Sequence, residues 1–376
     1  MLSDKKNPSF PFFVMERRRD RLFWFVSVVW CSVAIQVIGI WSTLQHLLEN
    51  SLLSIPFNPF NPQSSNDVTT DTADEVALVT GSNRGLGLAT AELLVRRGVH
   101  TFFLCRSRPA AVTAVNRLFR EPSLRARCTI IECDLASFGS VRKAVSDVVL
   151  ALMRMSTRLD YIVLNAGVMN DLPTFQAGED GYELQLKVNT LSHALLVHLL
   201  LKAGVVRSSP DSRIVSVSSF AHHGFTYLDD HTRDPLTIDP SAYHAKLAYA
   251  RSKWYQILLM QELRTSMQRT YGIQAVPCVS VNPGVVDTDM ARNYCKGEFP
   301  NAVRWLSDPI LDMLMTWALR RPKTAAALVL AVLMADAGVV DGRYVYMGPT
   351  GTIRGRTYPG YAGRLTWPDL IARIDV

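Results

Sequence analysis

The chain has 376 residues, 48% of them hydrophobic and 19% charged, which exceeds the ~250–300 residues of a single core and points to one large domain plus an appendage. Its net charge of +7 comes without any nucleic-acid motif, so nucleic acid is not an expected partner. Six cysteines, several in strand-like runs (Cys105, Cys128, Cys133, Cys278), read as buried thiols and exclude a disulfide scaffold.

The appendage is at the N-terminus. Residues 1–21 form a basic tail ending in Glu16-Arg17-Arg18-Arg19-Asp20-Arg21. Leu22 to Trp41 follows, with no charge and only Ser27, Ser32 and Gln36 as clearly polar members. At ~1.5 Å per residue a helix of this length covers the ~30 Å hydrocarbon core. Trp24, Trp30 and Trp41 supply interface anchors. We read a single transmembrane helix over 22–41, in preference to a cleaved signal peptide or a buried core helix. It also explains a mean hydropathy of +0.10, high for a soluble enzyme. The lipid bilayer, at the endoplasmic reticulum, is thus an expected partner. Basic residues precede the anchor and few follow it closely, which puts the N-terminus in the cytosol and the domain across the membrane. No Asn-x-Ser/Thr sequon with x other than Pro supports a lumenal domain. Both orientations stay open. Residues 42–72 form a linker whose Ser54 to Thr72 part is rich in Pro, Asn, Ser and Thr.

The domain, 73–376, opens with a short apolar run, Glu75 to Thr80, that reads as a buried strand. Gly81-Ser82-Asn83-Arg84-Gly85-Leu86-Gly87 comes next, and then a helical pattern from Leu88 to Arg97. Strand, glycine-rich turn and helix set a pyrophosphate over a helix N-terminus. The spacing is Gly-x-x-x-Gly-x-Gly, so the usual dinucleotide fingerprint does not apply. The second strand, near 100–104, ends without the acidic residue that bonds a ribose 2′-hydroxyl. Cys105 occupies about that place, Arg106 follows it, and Arg84 sits in the glycine turn. Two guanidinium groups suit a 2′-phosphate, so NADP(H) is expected over NAD(H). Further strands are expected near 128–132, 160–164, 212–217, 273–281 and 343–346. With helices between them they make a doubly wound α/β Rossmann fold with a seven-stranded parallel sheet.

Tyr249-Ala250-Arg251-Ser252-Lys253 places a tyrosine and a lysine at i and i+4, on one face of a helix. An ammonium beside a phenol favours the phenolate, so the Tyr249 pKa is expected to fall from its ordinary ~10. Tyr243 has no lysine four residues on. His222-His223 lacks further ligands at metal spacing, and no metal is expected. Trp305 to Leu319 and Ala325 to Met334 are apolar but too short to span a bilayer, and core packing is the favoured reading.

Together these motifs resemble the short-chain dehydrogenase/reductases, within them the retinol-dehydrogenase-like, membrane-anchored branch, from about Asp74 to about Pro349. The resemblance makes Thr80 to Gly87 the cofactor turn, including Ser82, Asn83 and Leu86. It sets Asp134-Leu135 against the adenine and Asn165-Ala166-Gly167 after the fourth strand. It assigns catalytic roles to Asn189, Ser219, Tyr249 and Lys253, with Tyr249 and Lys253 also binding the cofactor, and it frames the nicotinamide with Pro283-Gly284-Val285-Val286-Asp287-Thr288. Leu164 stands where many members have a first Asn. Of the adjacent Ser218 and Ser219, the resemblance selects the second. Ser219 and Tyr249 are 30 residues apart, a long loop typical of this branch. The resemblance implies hydride transfer between NADP(H) and a carbonyl or alcohol of a hydrophobic substrate, such as a retinoid, steroid or other lipid. Lys253 would bond the nicotinamide ribose, and Asn189 would hold a water linking Lys253 to solvent. A homodimer is a further expectation. Two other readings use the same fold: a silent NADP(H)-binding sensor or scaffold, against which the intact Ser219, Tyr249 and Lys253 argue, and a carbon–carbon double-bond reductase.

Overall fold

A computed structural model describes residues 75–170, 174–178, 180–223, 236–273, 276–292, 319–347, 353–356 and 366–375. The 1–21 tail, the 22–41 anchor, the 42–72 linker and most of the Trp305 to Leu319 stretch lie outside the described residues.

Strands β1 (Val76–Thr80), β2 (His100–Cys105), β3 (Cys128–Glu132), β4 (Tyr161–Leu164), β5 (Arg213–Val217), β6 (Cys278–Asn282) and β7 (Tyr344–Met347) lie in one sheet, ordered β3-β2-β1-β4-β5-β6-β7. Every pair among these seven is parallel, as expected. The sheet then departs from expectation. An eighth strand, β8 (Ile353–Arg356), pairs antiparallel with β7 and covers that edge. Strand β6 also begins at Cys278, five residues later than the expected 273.

Helices cover both faces, which is why the strands read as continuous apolar runs. Alternate residues of β1 serve opposite cores. Val76 and Leu78 pack with α3 (Phe138–Arg154), α4 (Ser192–Lys202), α5 (Ala245–Tyr271) and α7 (Trp367–Ile374). Ala77 and Val79 pack with α1 (Gly85–Arg96), α2 (Arg108–Leu118) and α6 (Pro322–Leu333). The Ala325 to Met334 stretch is therefore mostly core: Ala325, Leu328, Val329 and Val332 are almost fully buried in α6, which packs on α1.

Local chemistry starts several helices. Ser107 caps α2, with Pro109 in its first turn, and Ser137 caps α3. Thr366 accepts from Asp369 N and donates to its carboxylate, which begins α7. The segment Leu184–Lys202 is the one described helix long and apolar enough to cross a membrane. It is 89% buried, packed on α3, α5 and α7, so it is a core helix. The chain reverses its winding between β1 and β4, and the crevice at that switch point is where such sheets take ligands.

Candidate active site

The glycine turn leaves β1 with Gly81 at φ +65° and Gly85 at φ +58°, conformations that side chains with a Cβ rarely adopt. Gly87 has an ordinary backbone but no room. A Cβ there would meet Asn165 Nδ2 at 2.3 Å and the Gly81 carbonyl oxygen at 2.4 Å. Helix α1 then starts at Gly85 without a capping side chain and without an acidic residue in its first turn. Its first N–H groups and its dipole are thus left for an anion. Ser82 is fully buried, and its Oγ has no hydrogen-bond partner. This uncapped start beside an orphaned hydroxyl fits the phosphates of a dinucleotide.

Arg84 and Arg106 are both exposed at the rim. Arg84 pairs with Asp289 at 2.9 Å, with the two side chains 73% and 70% exposed. This contact joins the glycine turn to the loop after β6. Gly85 faces the same loop, since a Cβ there would lie 3.4 Å from Thr288 Cγ2. Cys105, at the end of β2, is buried, and burial pushes its thiol up to about 11. It is therefore neutral and brings no negative charge near Arg106.

Thr80 is a hub that sequence reasoning treated only as the start of a motif. Its Oγ1 accepts from Asn165 N at 2.9 Å and Ala166 N at 3.0 Å. Asn165 Nδ2 returns a bond to the Thr80 carbonyl at 2.9 Å. His193 lies 2.9 Å from Thr80 Oγ1 through Nε2, and its Nδ1 is 2.9 Å from the Asn189 carbonyl oxygen. A carbonyl only accepts, so Nδ1 carries the proton and neutral Nε2 accepts from the threonine hydroxyl. Burial holds this imidazole down at about 4. After β3, Asp134 Oδ1 accepts from Ala136 N, and the carbonyl of buried Leu135 accepts from Ser192 Oγ at 2.6 Å.

At the other end, a π-helical turn, Lys187–Leu191, carries Asn189, which is fully buried. Its Oδ1 accepts from Val168 N at 2.7 Å, and its Nδ2 donates to the Val168 carbonyl and to Ser252 Oγ. Gly167 closes in here: a Cβ would lie 3.2 Å from Asn189 Oδ1 and 3.5 Å from Lys253 Nζ. Ser218 is buried and donates to the Lys253 carbonyl at 2.8 Å. Ser219 is the serine whose side chain hydrogen-bonds the Tyr249 hydroxyl. Lys253 Nζ donates to the Val217 carbonyl at 3.0 Å and to Gln256 Oε1 at 2.9 Å, and lies 5.6 Å from the centre of the Tyr249 ring.

The expected fall of the Tyr249 pKa is reversed. Burial pushes the phenol up to about 12, and the Ser219 hydrogen bond only partly offsets it. Burial also pulls Lys253 down to about 7. Desolvation disfavours charge on both groups, and it outweighs the attraction that the helical spacing suggested.

After β6, Gly284 at φ +80° turns the chain, and its N–H donates to Asn282 Oδ1 at 3.0 Å. Asn282 Nδ2 is buried without a partner. Val286 is buried, and Thr288 Oγ1 accepts from Ala291 N at 3.3 Å. Of the segment Pro283 to Thr288, it is Thr288 that lies against Gly85. His222 follows Ser219 and is buried, not solvated, stacked on Trp254 and edge-on to Tyr344. Tyr243 is buried against Gln185 and Glu183. Among the described residues no three His, Cys, Asp or Glu side chains come together as metal ligands.

A family model described as short chain dehydrogenase matches residues 75–226. Human retinol dehydrogenase 14 is 33% identical over 285 residues, covering 72% of this chain and 77% of that protein. Dehydrogenase/reductase SDR family member 13 of Bos taurus is 33% identical over 274 residues, covering 71% and 64%. A solved short chain dehydrogenase from Burkholderia cenocepacia J2315, in complex with NADP, superposes with a TM-score of 0.53 at 22% identity over 74% of this chain and 99% of that one. That last likeness concerns the fold.

Proposed function

The chain belongs to the short-chain dehydrogenase/reductase family, as a retinol-dehydrogenase-like member, and from this premise we propose that it is an NADP(H)-dependent oxidoreductase of hydrophobic alcohols and their carbonyl partners, held at the endoplasmic reticulum membrane by a helix over 22–41. When bound, the cofactor supplies or accepts the hydride. One observation carries the reading: the Ser219 side chain bonds Tyr249, whose ring centre lies 5.6 Å from the buried Lys253 Nζ.

The α1 start and the turn from Gly81 to Gly87 bind the pyrophosphate. Arg84 and Arg106 take the 2′-phosphate, with Arg84 exchanging Asp289 for it. Asp134 and Leu135 flank the adenine. Asn165, Ala166 and Gly167 form the floor, and Pro283, Gly284, Val286 and Thr288 border the nicotinamide. Ser219 and Tyr249 hold the substrate oxygen between two hydroxyls, and Tyr249 moves the proton at that oxygen. Lys253 holds its charge beneath them and bonds the ribose. Asn189 keeps the turn that faces Lys253 in shape. Retinol, named for several relatives, is an apolar alcohol that partitions into bilayers, which suits a membrane-held enzyme.

Tyr249→Phe in the full chain tests the assignment. NADPH consumption with retinal, steroid ketones and fatty aldehydes should fall about a hundredfold or more, the scale of a lost general acid. NADPH affinity should change by less than about threefold, because the phenol's hydroxyl is spent on the substrate. Full turnover in that variant overturns the proposal.

A further inference from the structure

Gln256 belongs to none of the sequence motifs, yet it sits at the centre of the reaction end. It lies three residues after Lys253, about one turn along α5, and is 2% exposed. Its Oε1 accepts from Lys253 Nζ at 2.9 Å, and its Nε2 donates to the Asn189 carbonyl at 2.7 Å. The opposite amide orientation would set an NH2 group against an ammonium and an oxygen against a carbonyl, so the geometry admits one orientation.

We propose that Gln256 is a positioning residue of the proton-transfer site, an amide clamp that aims the Lys253 ammonium and ties it to the π-turn carbonyl of Asn189. The inference rests on the oxidoreductase reading above and names how that site is held. Asn189 O already accepts from His193 Nδ1 at 2.9 Å, so Gln256 completes its two acceptor positions. The resemblance to the family led us to expect Asn189 to carry the link from Lys253. In this chain the link from the lysine to that carbonyl is the Gln256 side chain.

The surroundings leave this clamp much to do. Lys253 is met by the Val217 carbonyl from β5, by Gly167 from the loop after β4, by Asn189 and His193 from the π turn and α4, and by Tyr249 from its own helix. Of these only Tyr249 and His193 titrate, and the lowering at Lys253 comes from burial alone, with no carboxylate opposing it. The charge therefore rests on two neutral oxygens, Val217 O and Gln256 Oε1. A hydrogen bond to a charged group is stronger than one between neutral groups. Losing one moves the proton affinity of the lysine by about one unit or more. The third ammonium N–H has no acceptor among the described residues and is left for a ribose hydroxyl.

Two variants of the full chain test this. Gln256→Met keeps the length and removes both polar atoms, whereas Gln256→Glu keeps the acceptor and adds a negative charge. The first readout is competitive acetylation of Lys253 against pH, followed by mass spectrometry, which needs no turnover. The second is the pH profile of kcat. We expect Met to lower the pH at which Lys253 gains reactivity by about one unit, and Glu to raise it by about one unit or more. The alkaline limb of kcat should follow in each direction, with the substrate KM within about twofold. Identical Lys253 titration in all three chains, or shifts of the same sign in both variants, overturns the clamp. If Gln256→Met does not fold, the upward shift in Gln256→Glu decides alone. If the native chain turns over none of the substrates, the oxidoreductase reading fails, and the acetylation titration still decides Gln256.

Discussion

At the scale of single residues, the site separates two serines that the sequence sets side by side. Ser218 spends its hydroxyl on the Lys253 carbonyl, inside the core, and Ser219 meets the Tyr249 hydroxyl. Their replacements should therefore fail differently. Ser219→Ala removes a donor to the substrate oxygen, and kcat should drop about a hundredfold or more with little change in unfolding midpoint. Ser218→Ala should instead cost about 1 kcal/mol in urea unfolding, the net worth of one buried hydrogen bond, and leave kcat within a few-fold. Steady-state kinetics and denaturation of the two variants check this, and the reverse pattern would move the substrate-holding role to Ser218. The same pair shows where residue-level reading stops. The Tyr249–Lys253 spacing was legible, because i and i+4 meet on a helix. The direction of the phenol's shift was not, because desolvation depends on how deeply β5, the π turn and α5 close over the pair.

At the scale of elements, what could be read depends on whether a segment's requirement lies in its own residues. The glycine turn is legible because positive φ and close approach leave a composition that only glycine meets, at Gly81, Gly85 and Gly87. The seven parallel strands are legible as apolar runs between turn signals. Strand β8 is not: Ile353-Arg354-Gly355-Arg356 has two charges and a glycine in four residues, and its pairing comes from the open edge of β7. The π turn at Lys187–Leu191 is equally silent, since one extra residue in a turn barely disturbs apolar periodicity, yet it presents the Asn189 carbonyl to Gln256 and His193. The turn also makes a sharp prediction. Gly87→Ala drives a methyl into Asn165 Nδ2 and the Gly81 carbonyl, both backbone-tied, so α1 must retreat from the sheet. We expect NADPH affinity to fall at least tenfold and stability by about 1–3 kcal/mol, the usual range for overpacking. Fluorescence titration with NADPH and thermal melting measure both, and native-like binding would show that the turn does not seat the phosphates.

At the scale of the whole molecule, a buried network and a partly exposed one tie distant segments together, and each sets its own acid limit. His193 joins the glycine turn to the π turn, and Asp375 joins the C-terminal α7 to α3 and α4 through Arg142, Lys202 and His198. The His193 imidazole is held neutral, at about 4 against 6.5 for the free group. The unfolded chain thus takes up this proton first, and stability falls as pH drops from about 6.5 to about 4, by at most ~3 kcal/mol. Asp375 works in a lower window. The Arg142 hydrogen bond, with Lys202 and His198 also lowering it, holds its carboxyl down to about 2 from 3.8. Its contribution is complete above about pH 4 and is lost as pH falls through about 2, on the order of 2 kcal/mol. Asp375→Asn should therefore lower the urea midpoint at pH 7 and approach the native chain near pH 2; because Asp375 also holds up the His198 imidazole, which burial pulls down, its loss should deepen, not flatten, the fall between about pH 6.5 and 4. His193→Gln should do the opposite, flattening that upper window and keeping the lower one. Urea unfolding of the three chains from pH 7 to pH 2 separates the two. A single window shared by both variants would mean that the glycine turn and the C-terminal clasp unfold through one titrating group, against the geometry that keeps His193 and Asp375 on separate partners.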